Sequence, residues 1–170
     1  MTVLKNKFLL GGAAVLIAAA LWIVFAPNEE RRVRKTFDRV SALMAKDGAE
    51  DEHVLTSAGK ANGMGELVAT SLKLEAPELG MRETFDSDAV AQTVALMRSH
   101  VHHVAVTFSD LTIEFPKDAT AEVLGNVKVD ADERNFGFKD SEARTFEATL
   151  KKDDDTGTWK FSRVKVHRVN

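Results

Sequence analysis

The hydrophobic pattern begins with an unbroken apolar run and becomes periodic only afterwards. Residues 8–26 contain no charged and no strongly polar side chain, and Pro27 follows them directly. At about 1.5 Å of rise per residue, a helix of this length spans roughly 28 Å, close to the hydrocarbon thickness of a bilayer. The run therefore predicts a transmembrane anchor, preceded by a tail at residues 1–7 and followed by one folded domain at residues 27–170.

A cleaved secretory signal is the alternative interpretation of the same run. Lys5 and Lys7 would form its basic start, and residues 24–26 have the modest size that a cleavage site requires. However, the apolar run is longer than the usual core of a signal, and Pro27 would directly follow the cut. The pattern therefore favours an uncleaved anchor that binds the protein to a lipid bilayer.

The basic residues on the two sides of the predicted anchor disagree about its orientation. Two lysines precede the anchor, whereas five basic residues follow it closely: Arg31, Arg32, Arg34, Lys35 and Arg39. Counting Lys and Arg alone would keep the domain in the cytoplasm, but long domains translocate largely regardless of charge. We expect a single-pass protein of the bacterial inner membrane with a periplasmic C-terminal domain, and the cytoplasmic orientation stays open.

Beyond the anchor, three segments carry apolar residues at helical spacing and predict amphipathic helices. The first begins after the capping residue Asn28 and ends at Gly48, the second covers residues 50–61, and the third follows Ser87 as its N-cap. The apolar stripes of the first and third helices are Val33, Phe37, Val40 and Met44, and Val90, Val94, Met97 and Val101.

The rest of the domain has the period of two that is typical of strands. Residues 72–75 and 81–85 predict a short hairpin, and four long strands follow from His103 onward. The alternation slips by one residue near Ser109 and Asp110, which predicts a β-bulge, and a second slip predicts a bend in the last strand. The element order predicts an α+β fold in which about three helices pack in a curved antiparallel sheet.

Composition narrows the range of functions. After residues 1–27 are set aside, 21 basic and 26 acidic side chains remain, so the domain lacks the basic excess of a nucleic-acid-binding surface. The absence of cysteine excludes disulfides, thiolate catalysis and thiolate metal sites. Residues 153–155 are three consecutive aspartates without the alternating ligands of a calcium loop, so they predict a solvated turn.

The element order, ending in a strand that reads Trp159-Lys160-Phe161-Ser162-Arg163-Val164, resembles the nuclear transport factor 2-like superfamily. That superfamily includes ketosteroid isomerase and the SnoaL-like cyclases, and the resemblance covers roughly residues 30–169. It implies a cone-shaped domain. An anchored cone also resembles the inner-membrane assembly factors of type IV secretion systems, in which the cone serves protein assembly. A fold shared by enzymes and scaffolds does not decide the function.

The resemblance to enzymes of this fold can be compared with the residues present. Ketosteroid isomerase chemistry needs a tyrosine donor, and this chain contains no tyrosine. Dehydratase-type members use histidine and aspartate in the cone, which makes His100, His103 and Asp110 the catalytic candidates. His100 and His103 are three residues apart and could share a helical face, but no third ligand accompanies them, so no metal site is predicted. The competing interpretation is a pair of exposed histidines at a helix end.

The candidates for an apolar ligand pocket are Val104, Val106, Phe108 and Trp159, although Trp159 equally suits the core or a dimer contact on the sheet. The first function prediction is therefore a membrane-anchored interaction or assembly module without a catalytic site or cofactor, with a second copy or a membrane complex as partner. The alternative is a small-molecule-binding or SnoaL-like enzymatic domain whose cone holds a hydrophobic ligand. A cavity lined by histidine and carboxylate would favour the enzyme, whereas a cone filled by Phe and Leu would favour the interaction module.

Overall fold

The computed structural model describes residues 28–48, 53–133 and 138–168. The predicted anchor at residues 8–26 lies outside these ranges. Within them, every helix is too short or too polar to cross a membrane. The chain divides into two units, residues 1–32 and 33–170. In the first unit, Asn28 caps the start of a helix by accepting a hydrogen bond from the Arg31 amide at 3.3 Å, as predicted.

The helices are α1 (Glu29–Met44), α2 (Val54–Glu66) and α3 (Ser87–His100). The predicted end of the first helix at Gly48 is wrong, because the backbone of Lys46 leaves the helix and pairs with Val104 through hydrogen bonds of 2.9 and 3.1 Å. The predicted bounds of the second helix are also wrong, since α2 starts after the cap His53 and continues through its glycines to Glu66.

The third predicted helix is present, but its cap and its first residue each lie one position earlier than expected. The side chain of Asp86 accepts a hydrogen bond from the Ala89 amide at 2.8 Å, so Asp86 is the N-cap and Ser87 is the first helical residue. Asp86 has an extended backbone, and its carboxylate also suits the positive end of the helix dipole.

The described residues form six strands, of which two lie between α2 and α3 and four follow α3. They are β1 (Val68–Ala76), β2 (Met81–Phe85), β3 (Val101–Lys117), β4 (Thr120–Glu133), β5 (Phe138–Lys152) and β6 (Trp159–Arg168). They form one curved sheet in the order β2-β1-β6-β5-β4-β3. The predicted hairpin is confirmed as β1 and β2, joined by a 3-10 turn at Pro77–Leu79 and by Gly80, whose φ of 64° favours glycine.

The prediction of an entirely antiparallel sheet is wrong at one position. β1 pairs with β6 in parallel, with Leu74 opposite Val164. The alternation within each strand reports which face a residue occupies, but it carries no information about which distant strand lies beside it or in which direction. The parallel pair joins the early hairpin to the last strand, so all six strands belong to a single sheet whose edge strands are β2 and β3.

Both predicted slips of the alternation are confirmed as breaks in the strand register. The pairing of β3 with β4 shifts between Ser109 and Thr112, and Asp110 has a positive φ of 54°. In β6, Phe161 pairs with Leu150 and Arg163 with Thr149, which leaves Ser162 as the extra residue. A bulge of this kind bends a strand and keeps the apolar side chains on one face.

We call the face of the sheet that contacts residues 33–44 of α1 the inner face and the opposite face the outer face. The core lies between α1 and the inner face, where Val33 and Phe37 are almost completely buried against Phe146 and Leu150. Four phenylalanines contact one another there, with ring centroids 5.1 to 5.6 Å apart: Phe37, Phe108, Phe146 and Phe161. Burying each such side chain contributes about 1.5–3 kcal/mol.

The predicted turn between the last two strands is confirmed, and one carboxylate organises it. Asp153 accepts hydrogen bonds from the Lys160 ammonium at 2.8 Å and from the amide and hydroxyl of Thr156 at 2.9 and 2.8 Å. These contacts, the Lys160 contact first among them, hold the pKa of Asp153 well below its usual range. A group with a lowered folded-state pKa stabilises the fold above its unfolded pKa, and the contribution disappears as pH falls through the folded pKa.

Replacing Asp153 by asparagine is therefore expected to lower the free energy of unfolding at neutral pH. The difference from the original protein should narrow as pH falls below about 4, the ordinary aspartate range, because the original carboxylate then loses its advantage. Urea unfolding at neutral and acidic pH measures both effects. The exposed neighbour Asp155→Asn is the matched control and should leave the unfolding curve unchanged; a constant Asp153→Asn difference across pH would contradict the assignment.

Candidate functional site

A cavity of about 230 Å³ lies between the helices and the inner face of the sheet. All of its lining side chains are apolar, and they come from all three helices and from five of the strands. The lining consists of Phe37, Val40, Met64, Leu67, Val68, Leu72, Val90, Phe108, Val127, Phe146, Ala148, Phe161, Val164 and Val166.

The alternation along β5 shows how the sequence builds this cavity. Phe146, Ala148 and Leu150 are buried on the inner face, whereas Glu147 between them is exposed on the outer face. Ala148 is small, and Val127 and Val164 on the neighbouring strands also add little volume, so the phenylalanines do not fill the space completely. A cavity without polar partners does not hold water well and favours apolar molecules.

The two candidate histidines lie in different elements. His100 is the last residue of α3, where its Nδ1 is 2.8 Å from the Leu96 carbonyl oxygen. His103 lies on β3 with an exposed side chain, and its backbone amide donates a hydrogen bond to the carboxylate of Asp132. Because the helix ends at His100, the two histidines do not share a helical face, and neither lines the cavity.

Asp110, the third catalytic candidate, lies at the bulge of β3. Its exposed carboxylate accepts hydrogen bonds from the Ser109 hydroxyl at 3.1 Å and from the Asn126 side-chain amide at 3.0 Å. Seven residues of strand separate it from His103, a distance of roughly 20 Å. The structure therefore does not bring the three candidates together, and none of them faces the cavity.

Of the four predicted pocket residues, Phe108 lines the cavity and the other three are absent from its lining. Val104 is buried where β3 pairs with the backbone of Lys46. Trp159 is buried in the core and its ring lies 5.7 Å from that of Phe115. Val106 is half-buried on β3, the strand that also carries Val104.

Two buried charged residues and one arginine near the cavity were not predicted. Arg98 is completely buried and Lys46 nearly so, and both donate hydrogen bonds to backbone carbonyls at helix ends. Arg144 lies two residues before Phe146 and therefore shares the inner face with it. The strand alternation alone would have placed Arg144 on that face.

In the described part of the chain, no three histidine, aspartate or glutamate side chains are grouped so that they could hold a metal ion.

Comparison with known proteins identifies the fold through structure alone. No protein-family model matches the chain, and no curated protein matches it either. An NTF2-like protein with a cystatin-like fold from Novosphingobium aromaticivorans is similar over 91% of this chain and 88% of its own, with a TM-score of 0.63 and 16% identity. The chain has the NTF2-like fold.

Two further solved structures with this NTF2-like fold are named as enzymes. A candidate scytalone dehydratase from Novosphingobium aromaticivorans is similar over 84% of this chain and 85% of its own, with a TM-score of 0.67 and 17% identity. A type 3 LinA hexachlorocyclohexane dehydrochlorinase from Novosphingobium barchaimii is similar over 81% and 84%, with a TM-score of 0.60 and 11% identity. At these identities the likeness establishes the fold, and activity has to be argued from the site.

Proposed function

We propose that residues 33–170 bind a small apolar molecule in the cavity on the inner face of the sheet. The observation that carries the proposal is a space of about 230 Å³ whose lining offers carbon and thioether groups alone. Hydrophobic ligands gain free energy from leaving water, at roughly 25 cal/mol per Å² of apolar surface buried. An apolar cavity supplies that gain without any specific polar contact.

The volume sets the size of the ligand. An apolar cavity of about 150 Å³ in another protein holds benzene, so by proportion this one accommodates about nine carbon atoms. Propylbenzene has this size and is a suitable probe. The named substrate of one structural neighbour, hexachlorocyclohexane, is likewise a compact ring, and this is compatible with the proposal.

Acid–base catalysis within the cavity is not part of the proposal. A general acid or base has to lie within hydrogen-bond reach of the proton that it transfers. His100, His103 and Asp110 lie away from the cavity, and its lining contains no titratable side chain. Of the two parts of the alternative prediction, binding of a hydrophobic small molecule is supported by the geometry, whereas SnoaL-like enzymatic activity has no supporting residue in this cavity.

The membrane-anchored interaction or assembly module stays a prediction. It depends on the anchor at residues 8–26, on a second copy or a membrane complex as partner, and on a periplasmic domain at the bacterial inner membrane. Ligand binding in the cavity does not depend on any of these, and an anchored ligand-binding domain would satisfy both interpretations.

Filling the cavity is expected to abolish binding. Val127 lines the cavity and is half-buried, so Val127→Phe can place a ring in the space with limited strain. Calorimetric titration with propylbenzene should show binding to the original protein and at least a tenfold weaker affinity in the variant, about 1.4 kcal/mol. Leu124→Phe is the matched control, because Leu124 is on the outer face of the same strand and is 51% exposed.

The control should bind propylbenzene like the original protein, and both variants should keep their cooperative thermal unfolding. Equal affinity in the Val127 variant and the original protein would show that propylbenzene binds elsewhere. Absence of binding to the original protein would overturn the proposed function.

A further inference from the structure

Arg144 continues the inner face of β5 at one end of the apolar cavity. Along this strand Ala148 and Phe146 line the cavity, and Arg144 is the next residue on the same face. Its partner across the sheet is Val127, which also lines the cavity. Arg144 therefore occupies a position in the row of inner-face residues where the apolar lining ends.

The side chain of Arg144 is 22% exposed, so much of it is shielded from water. Two carboxylates accompany it. Glu142 pairs directly with Nη2 of the guanidinium, and Glu78, from the turn between β1 and β2, lies 3.8 Å from Nη1. At 3.8 Å the contact between Arg144 and Glu78 is longer than a hydrogen bond, so the two side chains form an ion pair that is not hydrogen-bonded.

These carboxylates leave Arg144 able to bind a further anion. A guanidinium has five N–H donors in a fixed fork, and the two glutamates do not use all of them. Both glutamates are themselves well exposed, 53% for Glu142 and 45% for Glu78, so water screens their ion pairs with Arg144 and weakens them. An arginine fork suits a carboxylate through paired, charge-assisted hydrogen bonds.

We propose that the ligand of the cavity is a small carboxylic acid whose apolar body fills the cavity and whose carboxylate is bound by Arg144 at the rim. This inference rests on the proposed function, because it adds the chemical class of the ligand to the same cavity. The apolar lining gives no orientation to a hydrocarbon, whereas the Arg144 cation at the rim orients an amphipathic anion with its head outward. The site therefore discriminates between ligands of equal size by a single charge.

A matched pair of probes tests this proposal. Phenylpropanoate is propylbenzene with its terminal methyl group replaced by a carboxylate. Calorimetric titrations at neutral pH compare both probes on the original protein, on Arg144→Gln and on Arg163→Gln. Arg163 is a suitable control, since it is an arginine that also contacts a glutamate but lines a groove on the outer face with Thr149.

The expected result is that Arg144→Gln weakens phenylpropanoate binding about tenfold, the scale of a charge-assisted contact, and leaves propylbenzene binding unchanged. Arg163→Gln should leave both affinities unchanged. Equal losses of phenylpropanoate binding in the two variants would overturn the proposal, and so would an original protein that binds propylbenzene but not phenylpropanoate; the proposed function would survive both results. If neither probe binds, the proposed function itself fails.

Glu142→Gln provides a second test in which Arg144 is retained, which is decisive if Arg144→Gln does not fold. The variant removes a carboxylate that competes for the guanidinium, so phenylpropanoate should bind about threefold more tightly or better. An unchanged or weaker affinity for phenylpropanoate in a folded Glu142 variant would overturn the role of Arg144.

Discussion

Replacing Arg98 by methionine is expected to lower the free energy of unfolding by about 3 kcal/mol, a large part of the 5–15 kcal/mol that stabilises a typical domain. Arg98 is completely buried. Its Nη1 donates hydrogen bonds to the carbonyl oxygens of Leu43 and Met44 at 3.0 and 2.8 Å. These carbonyls belong to the last turn of α1, where the helix offers them no partner of its own.

The contacts between these two helix ends are reciprocal. Arg98 of α3 binds the end of α1, and Lys46, just after α1, donates to the carbonyl oxygens of Arg98 and Val101 at 2.6 and 2.7 Å. Each cation thus lies at the negative end of the other element's helix dipole. Methionine has a similar length and keeps the packing, but it leaves the partly buried carbonyl groups of Leu43 and Met44 without the arginine donor.

Urea unfolding monitored by circular dichroism measures the effect. Arg98→Lys keeps the charge but loses the fork, so its stability should lie between those of the original protein and the methionine variant. The surface control Arg163→Met removes a 51% exposed side chain and should cost about 1 kcal/mol or less. Equal stability losses at Arg98 and Arg163 would show that the buried contacts do not hold α1 and α3 together.

The second large effect is a pair of glycine substitutions in α2 with opposite signs. A Cβ atom at Gly65 would lie 2.6 Å from the carbonyl oxygen of Ser87, which is backbone and cannot rotate away. Gly65→Ala should therefore push α2 away from the start of α3 and lower the free energy of unfolding by about 1–3 kcal/mol.

Gly59→Ala is the matched control in the same helix. Among the described residues, no atom outside the local turn of α2 lies within 4 Å of a Cβ at Gly59, so alanine mainly reduces the backbone freedom of the unfolded chain. The free energy of unfolding should rise by about 0.5–1 kcal/mol. Chemical denaturation of the two single variants checks both signs. A stability gain at Gly65 would mean that α2 and α3 do not approach each other as closely as the structure shows.

Local features of the fold could be predicted from the sequence. The hairpin of β1 and β2 and the bulge at Asp110 are determined by residues that are neighbours in the chain, so the alternation of polar and apolar positions reports them directly. Helix ends were less accurate. α1 stops at Met44 because Lys46 pairs with Val104, and such a long-range bridge leaves no trace in the local pattern.

Burial of Arg98 was missed although a signal was present. Arg98 follows Val90 and Val94 at intervals of four, so it continues their apolar stripe, but the prediction assigned Met97 to that place. Arginine is rarely buried completely, and the sequence pattern alone does not identify hydrogen-bond acceptors for its side chain. Its partners include the carbonyl groups of Leu43 and Met44 in α1, which no side-chain pattern can reveal.

The candidate site was predicted only in part, because most of its residues come together through contacts that are distant in the sequence. Phe108 was assigned to the pocket from the alternation of β3, whereas Ala148 and Val164 lie on strands that become its neighbours through the sheet order. The parallel pairing of β1 with β6 brings Leu72 to the same cavity. A cavity is the space that side chains from many elements leave between them, and it depends on register and packing together.

The most direct test of ligand binding in the apolar cavity is to locate bound propylbenzene by nuclear magnetic resonance. Intermolecular nuclear Overhauser effects should connect its protons to the methyl groups of Val127 and Val164, both of which line the cavity. Effects confined to exposed methyl groups, those of Leu79, Leu96 and Leu124, would place the molecule on the surface and contradict a binding site inside the fold.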